Sequence, residues 1–268
     1  MDTVQLKKIL NPFPTEYSAT SGQQQPLKSI ESPTTLPAES NADLQVIRAN
    51  LKAYEQRDVE IEKGDTFLAK GDIDTAIACY TAAIRLDPKS IDAFYKRGTS
   101  FSLKGNIDGE MADYAYILQL DATNTATFNR RGMAFANMNA FDRAISNYSE
   151  AIRINPSFAE AYNNRALAYA NQGQIEKSIV DLTQAIKVDA ESTNTYFNRA
   201  VMFNNSGQFD EAIADYTETI RIDDQHEMAY MNRAEIHVSQ KRFAAAVADY
   251  TQAITINPES AMAFYNRG

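Results

Sequence analysis

The sequence contains no tryptophan, one cysteine (Cys79) and two histidines (His226 and His237) among its 268 residues. One cysteine cannot form an intrachain disulfide, and a single thiol is typical of a reducing compartment. No residues have metal-ligand spacing, no glycine-rich loop is suited to phosphate, and no nucleophile is paired with a base by pattern. We therefore expect no metal site, no cofactor and no enzymatic activity from these residues.

The sequence also has no excess of positive charge and no long apolar run. Its 26 Lys and Arg residues are outnumbered by 35 Asp and Glu, which gives a net charge of −9. Nucleic-acid binding requires a basic stripe, and none is present. No run approaches the ~18 apolar residues that span a bilayer. The N-terminus has no apolar segment followed by a small-residue cleavage site, so it does not resemble a secretory signal. We predict a cytoplasmic protein without membrane insertion.

Proline is scarce outside the N-terminal segment, which contains five of the eight: Pro12, Pro14, Pro26, Pro33 and Pro37. Gln, Ser and Thr fill much of the remainder of residues 1–41. Such a segment buries too little apolar surface to offset its ordering entropy. We predict a disordered tail over residues 1–41.

Residues 42–56 favour a helix, because Leu44, Ile47, Leu51 and Tyr54 are spaced to share one face. Neither proline nor glycine separates this segment from the next predicted helix. We interpret it as a capping helix, since terminal units of repeat proteins are atypical. The alternative is the second helix of a degenerate repeat.

The rest of the chain repeats itself every 34 residues. Arginine recurs with this period at Arg97, Arg131, Arg165, Arg199, Arg233 and Arg267. A fixed period of this size indicates one supersecondary unit that is copied and stacked. The repeats are 57–90, 91–124, 125–158, 159–192, 193–226 and 227–260, followed by the start of a seventh at Ala261.

Each repeat predicts two helices. The first has an aromatic residue in its fourth place and a small residue in its eighth. It is followed by glycine in four repeats, at Gly71, Gly105, Gly173 and Gly207. The second helix opens with an acidic residue and places Tyr or Leu between alanines. Three repeats then end on a proline: Pro88, Pro156 and Pro258.

This spacing resembles the tetratricopeptide repeat (TPR) family across residues 57–268. Two departures are Glu110 in place of an alanine and the absence of the turn proline in three repeats. The resemblance implies an all-α fold, an α-α solenoid wound as a right-handed superhelix. It also implies that the face of the first helix opposite the aromatic residues lines a concave groove.

The sixth place of the first helix, on this opposite face, is polar in every repeat from the second onward. It reads Lys96, Arg130, Asn164, Asn198, Asn232 and Asn266, and the neighbouring fifth place adds Asn129 and Asn163. A primary amide both donates and accepts, so it can bind a peptide unit. We predict that these eight residues bind peptide, in an arrangement similar to the asparagine ladder of O-GlcNAc transferases. Lys96 and Arg130 suggest an acidic stretch in the ligand. The alternative is a solvated surface that was copied with the repeat.

The seventh-place arginines lie beside the buried face, and the second helices carry acids or an amide on their own flank. We predict structural ion pairs between Arg131, Arg165, Arg199 and Arg233 and the aspartates Asp113, Asp181, Asp215 and Asp249. Whether these pairs form within a repeat or across a junction stays open at this point.

The pattern favours a non-enzymatic scaffold or adaptor that binds an extended peptide segment of a protein partner. One alternative is the substrate-recognition region of a larger, glycosyltransferase-like enzyme, because Gly268 falls within the first helix of the seventh repeat and suggests a truncated chain. A chaperone cofactor of the carboxylate-clamp type is disfavoured. Its opening Lys and Asn are replaced by Ile61 and Asp65 in repeat one and by Tyr95 and Thr99 in repeat two.

Overall fold

The computed structural model describes residues 41–268, with side chains from residue 45 onward. This part of the chain forms thirteen helices and no strand. They are α1 (Asn41–Ala69), α2 (Ile73–Leu86), α3 (Ile91–Lys104), α4 (Ile107–Leu120), α5 (Thr125–Asn137), α6 (Phe141–Ile154), α7 (Ala159–Asn171), α8 (Ile175–Val188), α9 (Thr193–Asn205), α10 (Phe209–Ile222), α11 (Glu227–Ser239), α12 (Phe243–Ile256) and α13 (Ala261–Arg267). The predicted disordered tail lies outside the described residues, apart from Asn41.

The predicted capping helix is not a separate helix. Residues 42–56 form the N-terminal part of α1, which continues without a break into the first helix of repeat one. Ile47, Leu51 and Tyr54 are each more than 40% exposed. The described part of the chain divides after Leu51, and residues 52–268 form one compact unit that contains the repeats.

From α2 onward each helix packs against the helix before it and the helix after it, with more extensive contacts within a repeat than between repeats. The C-terminal part of α1 pairs with α2 through Phe67, Leu68, Ala76 and Tyr80. The following pairs are α3 with α4, α5 with α6, α7 with α8, α9 with α10, and α11 with α12. The predicted all-α solenoid of helix pairs is therefore confirmed.

The turn between the two helices of each repeat requires a residue in the left-handed conformation. Four repeats supply glycine there, with φ between 74° and 80°. Repeats three and six supply Asn139 (φ 57°) and Lys241 (φ 58°) instead. The backbone hydrogen bonds are unchanged, since Ala140 N donates to Phe135 O at 2.9 Å and Arg242 N donates to His237 O at 2.8 Å. The turn is thus imposed by the packing of the two helices even where glycine is missing.

Each repeat buries one large side chain of its second helix against the small eighth residue of its first helix. Tyr80, Tyr114, Tyr148 and Tyr216 are at most 2% exposed, and Leu182 replaces tyrosine in repeat four. A Cβ added to Gly132 would lie 2.5 Å from Tyr148 Cε1, so the missing side chain is what lets this ring approach. Small residues in the first helix therefore determine how closely the pair packs.

Among the described helices, none is both long enough and apolar enough to cross a bilayer.

Candidate functional site

The sixth-place polar residues form a continuous column across adjacent first helices. Arg130 Nε donates to Tyr95 Oη at 2.9 Å and so links α5 to α3. Asn164 Nδ2 donates to Asn129 Oδ1 at 3.0 Å and links α7 to α5. In the same way Asn198 Nδ2 donates to Asn163 Oδ1 at 3.0 Å. The side chains of Arg130, Asn164 and Asn198 therefore each reach the fifth place of the preceding repeat.

The ends of the column use other partners. Lys96 Nζ pairs with Asp65 at 2.8 Å. The fifth place of the repeat before Asn232 is Phe197, whose side chain cannot accept a hydrogen bond. Asn232 Nδ2 therefore donates to Tyr216 Oη, at 3.1 Å. Asn266 is half-buried and lies near Tyr250. The column residues are half-buried, and their orientation is set by these contacts.

Asn129 differs from the prediction that it contacts a peptide. It is 2% exposed, its Oδ1 accepts from Asn164, and its Nδ2 donates to Glu160 Oε1 at 2.7 Å. Both polar groups are engaged within the chain, so Asn129 holds Asn164 and Glu160 in place from beneath the surface. Asn163 is half-buried and accepts from Asn198.

Two acidic residues, which the sequence analysis did not assign to the site, lie close to Arg130. Burial raises the pKa of Glu160, and Arg130, Asn129 and Asn164 oppose that rise by stabilising its carboxylate. Burial also raises the pKa of Glu110, which is 5% exposed. Ser102 and Arg130 oppose this rise in pKa. Arg130 therefore has two acidic neighbours within the chain, and Lys96 forms an ion pair with Asp65.

The seventh-place arginines bind aspartates of their own repeat. The two oxygens of each carboxylate accept from Nε and Nη2 of the guanidinium at 2.7–2.9 Å, in the pairs Arg97–Asp113, Arg165–Asp181, Arg199–Asp215 and Arg233–Asp249. Nη1 of Arg165 donates to Ser149 Oγ at 2.9 Å, a residue of the preceding repeat. The sequence left the pairing open, and the structure places it within the repeat, with a hydroxyl contact across the junction.

Repeat three departs from this arrangement. Asp113 pairs with Arg97, which the sequence analysis did not include among the pairs. Arg131 Nε donates to the amide oxygen of Asn147 at 2.7 Å. The preceding repeat has Ala115 where the others offer a hydroxyl. Burial lowers the pKa of Arg131, and no acidic residue opposes this effect.

A pocket of about 290 Å³ lies between α5 and α7, and we call it the α5–α7 pocket. Its lining consists of Met133, Ala136, Asn137, Asn139, Phe141, Tyr148, Asn164, Leu167, Ala168 and Asn171. Asn137 and Asn171 occupy the thirteenth place of their repeats, where Asn205 follows at the same 34-residue period. This second amide column is a sequence signal that the analysis missed.

The two histidines and the cysteine are residue types that often act in catalysis. His226 Nδ1 accepts from Ala229 N at 3.2 Å and caps α11. His237 is half-buried beside Arg233 and Asp249, and burial lowers its pKa. Cys79 is half-buried, and burial raises the pKa of its thiol. Among the described residues, no group of His, Cys, Asp and Glu is suited to a metal ion.

Solved structures share this fold. The chain is similar to PilF of Pseudomonas aeruginosa, with a TM-score of 0.68 and 16% identity over 80% of this chain and 97% of that chain. PilW, described as a widely conserved type IV pilus biogenesis factor, gives a TM-score of 0.68 and 15% identity over 78% and 97%. YrrB, described as a TPR protein with an unusual peptide-binding site, gives 0.57 and 18% identity over 69% and 96%. At these identities the likeness is one of fold alone.

Family models identify the repeat itself. Models described as TPR repeat or tetratricopeptide repeat match residues 64–105, 132–173, 159–192 and 203–261. No curated protein matches the chain in sequence. The matched regions together include more than half of the residues, and all of them lie within the solenoid. The chain therefore belongs to the tetratricopeptide repeat family.

Proposed function

We propose that this protein is a non-enzymatic interaction scaffold that binds an extended segment of a partner protein along the sixth-place column. We call this surface the groove face; it consists of Lys96, Arg130, Asn164, Asn198, Asn232 and Asn266 with the first-helix residues around them. The observation that carries the proposal is the unbroken column itself. From repeat two to repeat six, one half-buried polar side chain per repeat is held in a fixed orientation by hydrogen bonds to another residue of the solenoid.

The spacing of the column suits a peptide backbone. Packed helices lie about 8–10 Å apart, which corresponds to about three residues of extended chain. A segment crossing the groove face would thus meet one fixed polar group for every third residue. Because these side chains are already ordered, binding would cost little side-chain entropy. The backbone would be recognised by the column, and the neighbouring variable places would select side chains.

The charges near the N-terminal end of the column bear on the predicted acidic stretch in the ligand. Lys96 pairs with Asp65, and Arg130 lies beside Glu160 and Glu110. Both cations therefore have acidic neighbours within the chain. This arrangement gives no support to an acidic stretch in the ligand, so the proposal rests on the amides.

A selection of extended peptides from a random displayed library tests the proposal. Peptides selected on the wild-type protein are then measured against the triple variant Asn164→Ala, Asn198→Ala, Asn232→Ala. The matched control replaces three exposed amides of second helices, Gln119→Ala, Gln184→Ala and Gln252→Ala.

We expect the column variant to weaken binding at least tenfold, because each lost hydrogen bond contributes about 1 kcal/mol. The control variant should bind like the wild type, and thermal melts should show that both variants are folded. Peptide binding that survives in the folded column variant would overturn the proposal. The alternative of a substrate-recognition region in a larger enzyme stays a prediction, since no observation among the described residues favours it.

A further inference from the structure

The α5–α7 pocket combines an apolar interior with a polar rim. Met133, Leu167 and Phe141 are half-buried and form its walls together with small alanines, whereas Asn137 and Asn171 are exposed at the rim. Its volume of about 290 Å³ corresponds to about ten water molecules at ~30 Å³ each. That space accommodates one large side chain. The pocket adjoins Asn164 of the sixth-place column, so it opens on the groove face.

Tyr148 gives this pocket a specific chemical feature. Its side chain is 2% exposed and lines the pocket, yet no other described residue hydrogen-bonds with its hydroxyl. Three equivalent hydroxyls have partners in the chain. Tyr80 donates to Asp65 at 2.7 Å, Tyr114 lies 3.5 Å from Thr99 Oγ1, and Tyr216 accepts from Asn232 at 3.1 Å.

The sequence explains why Tyr148 is the exception. The ninth place of its repeat is Met133, which replaces the Asp65 and Thr99 that serve Tyr80 and Tyr114. The next sixth-place residue, Asn164, is turned toward Asn129 and Glu160 instead. The hydroxyl is not among the fully enclosed polar atoms without a partner, so solvent reaches it through the pocket, and a ligand that fills the pocket has to replace that solvent. Here the hydroxyl faces a pocket that an external group can enter.

We propose that the α5–α7 pocket binds a tyrosine side chain of the extended partner segment, an inference that rests on the proposed function. The apolar walls would enclose the aromatic ring, with Met133 offering a favourable sulfur contact. The phenol hydroxyl would hydrogen-bond with Tyr148 Oη. Phenylalanine would fill the same walls but leave the Tyr148 hydroxyl desolvated and unpaired, and an acidic side chain would be repelled by the nearby Glu160. Asn137 and Asn171 at the rim would contact the flanking backbone.

A pair of small probes tests the pocket independently of any peptide. Wild-type protein with labelled Met and Leu methyl groups is titrated by NMR with p-cresol, the side chain of tyrosine, and with toluene, the side chain of phenylalanine. We expect saturable shifts at Met133 and Leu167, with p-cresol binding about threefold to tenfold more tightly than toluene, as one additional hydrogen bond implies.

Three variants extend this test. Tyr148→Phe should remove the preference for p-cresol and still fold, because repeat four has Leu182 at the same place. Ala136→Phe should fill the pocket and abolish binding of both probes, while Ala170→Phe, at the corresponding place of the next repeat, should leave binding intact. Equal affinity for p-cresol and toluene in the wild type, or an unchanged preference in Tyr148→Phe, would overturn the inference.

Selected peptides separate this inference from the proposed function. If peptides bind through the column but replacing their tyrosines by phenylalanine has no effect, the tyrosine pocket is wrong and the scaffold proposal stands. If p-cresol binds as expected but no peptide depends on the column, the pocket is real and the groove-face proposal is wrong.

Discussion

Arg131 Nε donates to Asn147 Oδ1 at 2.7 Å, and this amide occupies the place where four other repeats have an aspartate. The guanidinium of Arg131 is half-buried, lies over the ring of Phe128 with 5.5 Å between guanidinium carbon and ring centroid, and has no carboxylate to balance it. Repeat three is therefore the one complete repeat with this arginine in which a charged pair is replaced by a charge–amide hydrogen bond.

Asn147→Asp should stabilise the protein by about 1 kcal/mol, because a charge-assisted bidentate pair is stronger than a bond to a neutral amide. The gain is measured as a shift in the denaturant midpoint. The reverse substitution in the next repeat, Asp181→Asn, is the matched control and should lower the midpoint. A destabilised Asn147→Asp variant would show that the burial of the new carboxylate outweighs its pairing.

The predicted structural role of the ion pairs is tested by a double-mutant cycle on Arg165 and Asp181, which meet at 2.7 Å. Alanine at either position should destabilise by about 3 kcal/mol, since the remaining charge is left partly buried. The two losses should not add, and the coupling energy should be about 2 kcal/mol. The same cycle on Arg165 and Asp215, which pairs with Arg199, should give coupling within about 0.5 kcal/mol of zero. Equal coupling in the two cycles would contradict the pairing within the repeat.

Lys241 holds the left-handed conformation that four other repeats assign to glycine. Lys241→Gly should raise stability by about 1 kcal/mol, because glycine adopts positive φ without steric cost, although its greater freedom in the unfolded chain offsets part of the gain. Lys241→Ala removes the same charge and retains the strain, so its melting temperature should not rise. If alanine stabilises as much as glycine, the effect comes from the charge and the explanation fails.

Glu110 makes stability depend on pH. Burial raises its pKa above the ordinary value of 4.5, so the folded state binds this proton more tightly than the unfolded state. The resulting stabilisation is fully present below 4.5 and is lost as the pH rises through the higher folded pKa. Relative to Glu110→Gln, the wild type should therefore become less stable between about pH 4 and about pH 7. Chemical denaturation of both proteins across this range measures the difference. Parallel curves would mean that Glu110 titrates normally.

The sequence by itself determined the helices, their pairing and the family. These follow from local rules: an aromatic, a small residue and an alanine recurring every 34 residues define two amphipathic helices, and the copies must stack to bury them. The pattern also selected the sixth-place column and three of the arginines that pair with aspartates, but it included Arg131, which bonds to Asn147, and omitted Arg97, which pairs with Asp113. It missed the thirteenth-place amides Asn137 and Asn171, although they recur with the same period.

Only the tertiary structure decided which side chains touch. Asn129 and Asn163 occupy the same place in successive repeats, yet Asn129 is almost fully buried and Asn163 is half-buried. The partner of Arg165, the continuity of α1 and the unpaired hydroxyl of Tyr148 likewise depend on how helices from different parts of the chain are placed. A repeat period specifies which residues are equivalent, but burial and hydrogen bonding depend on distances between helices, and these arise only when the repeats pack.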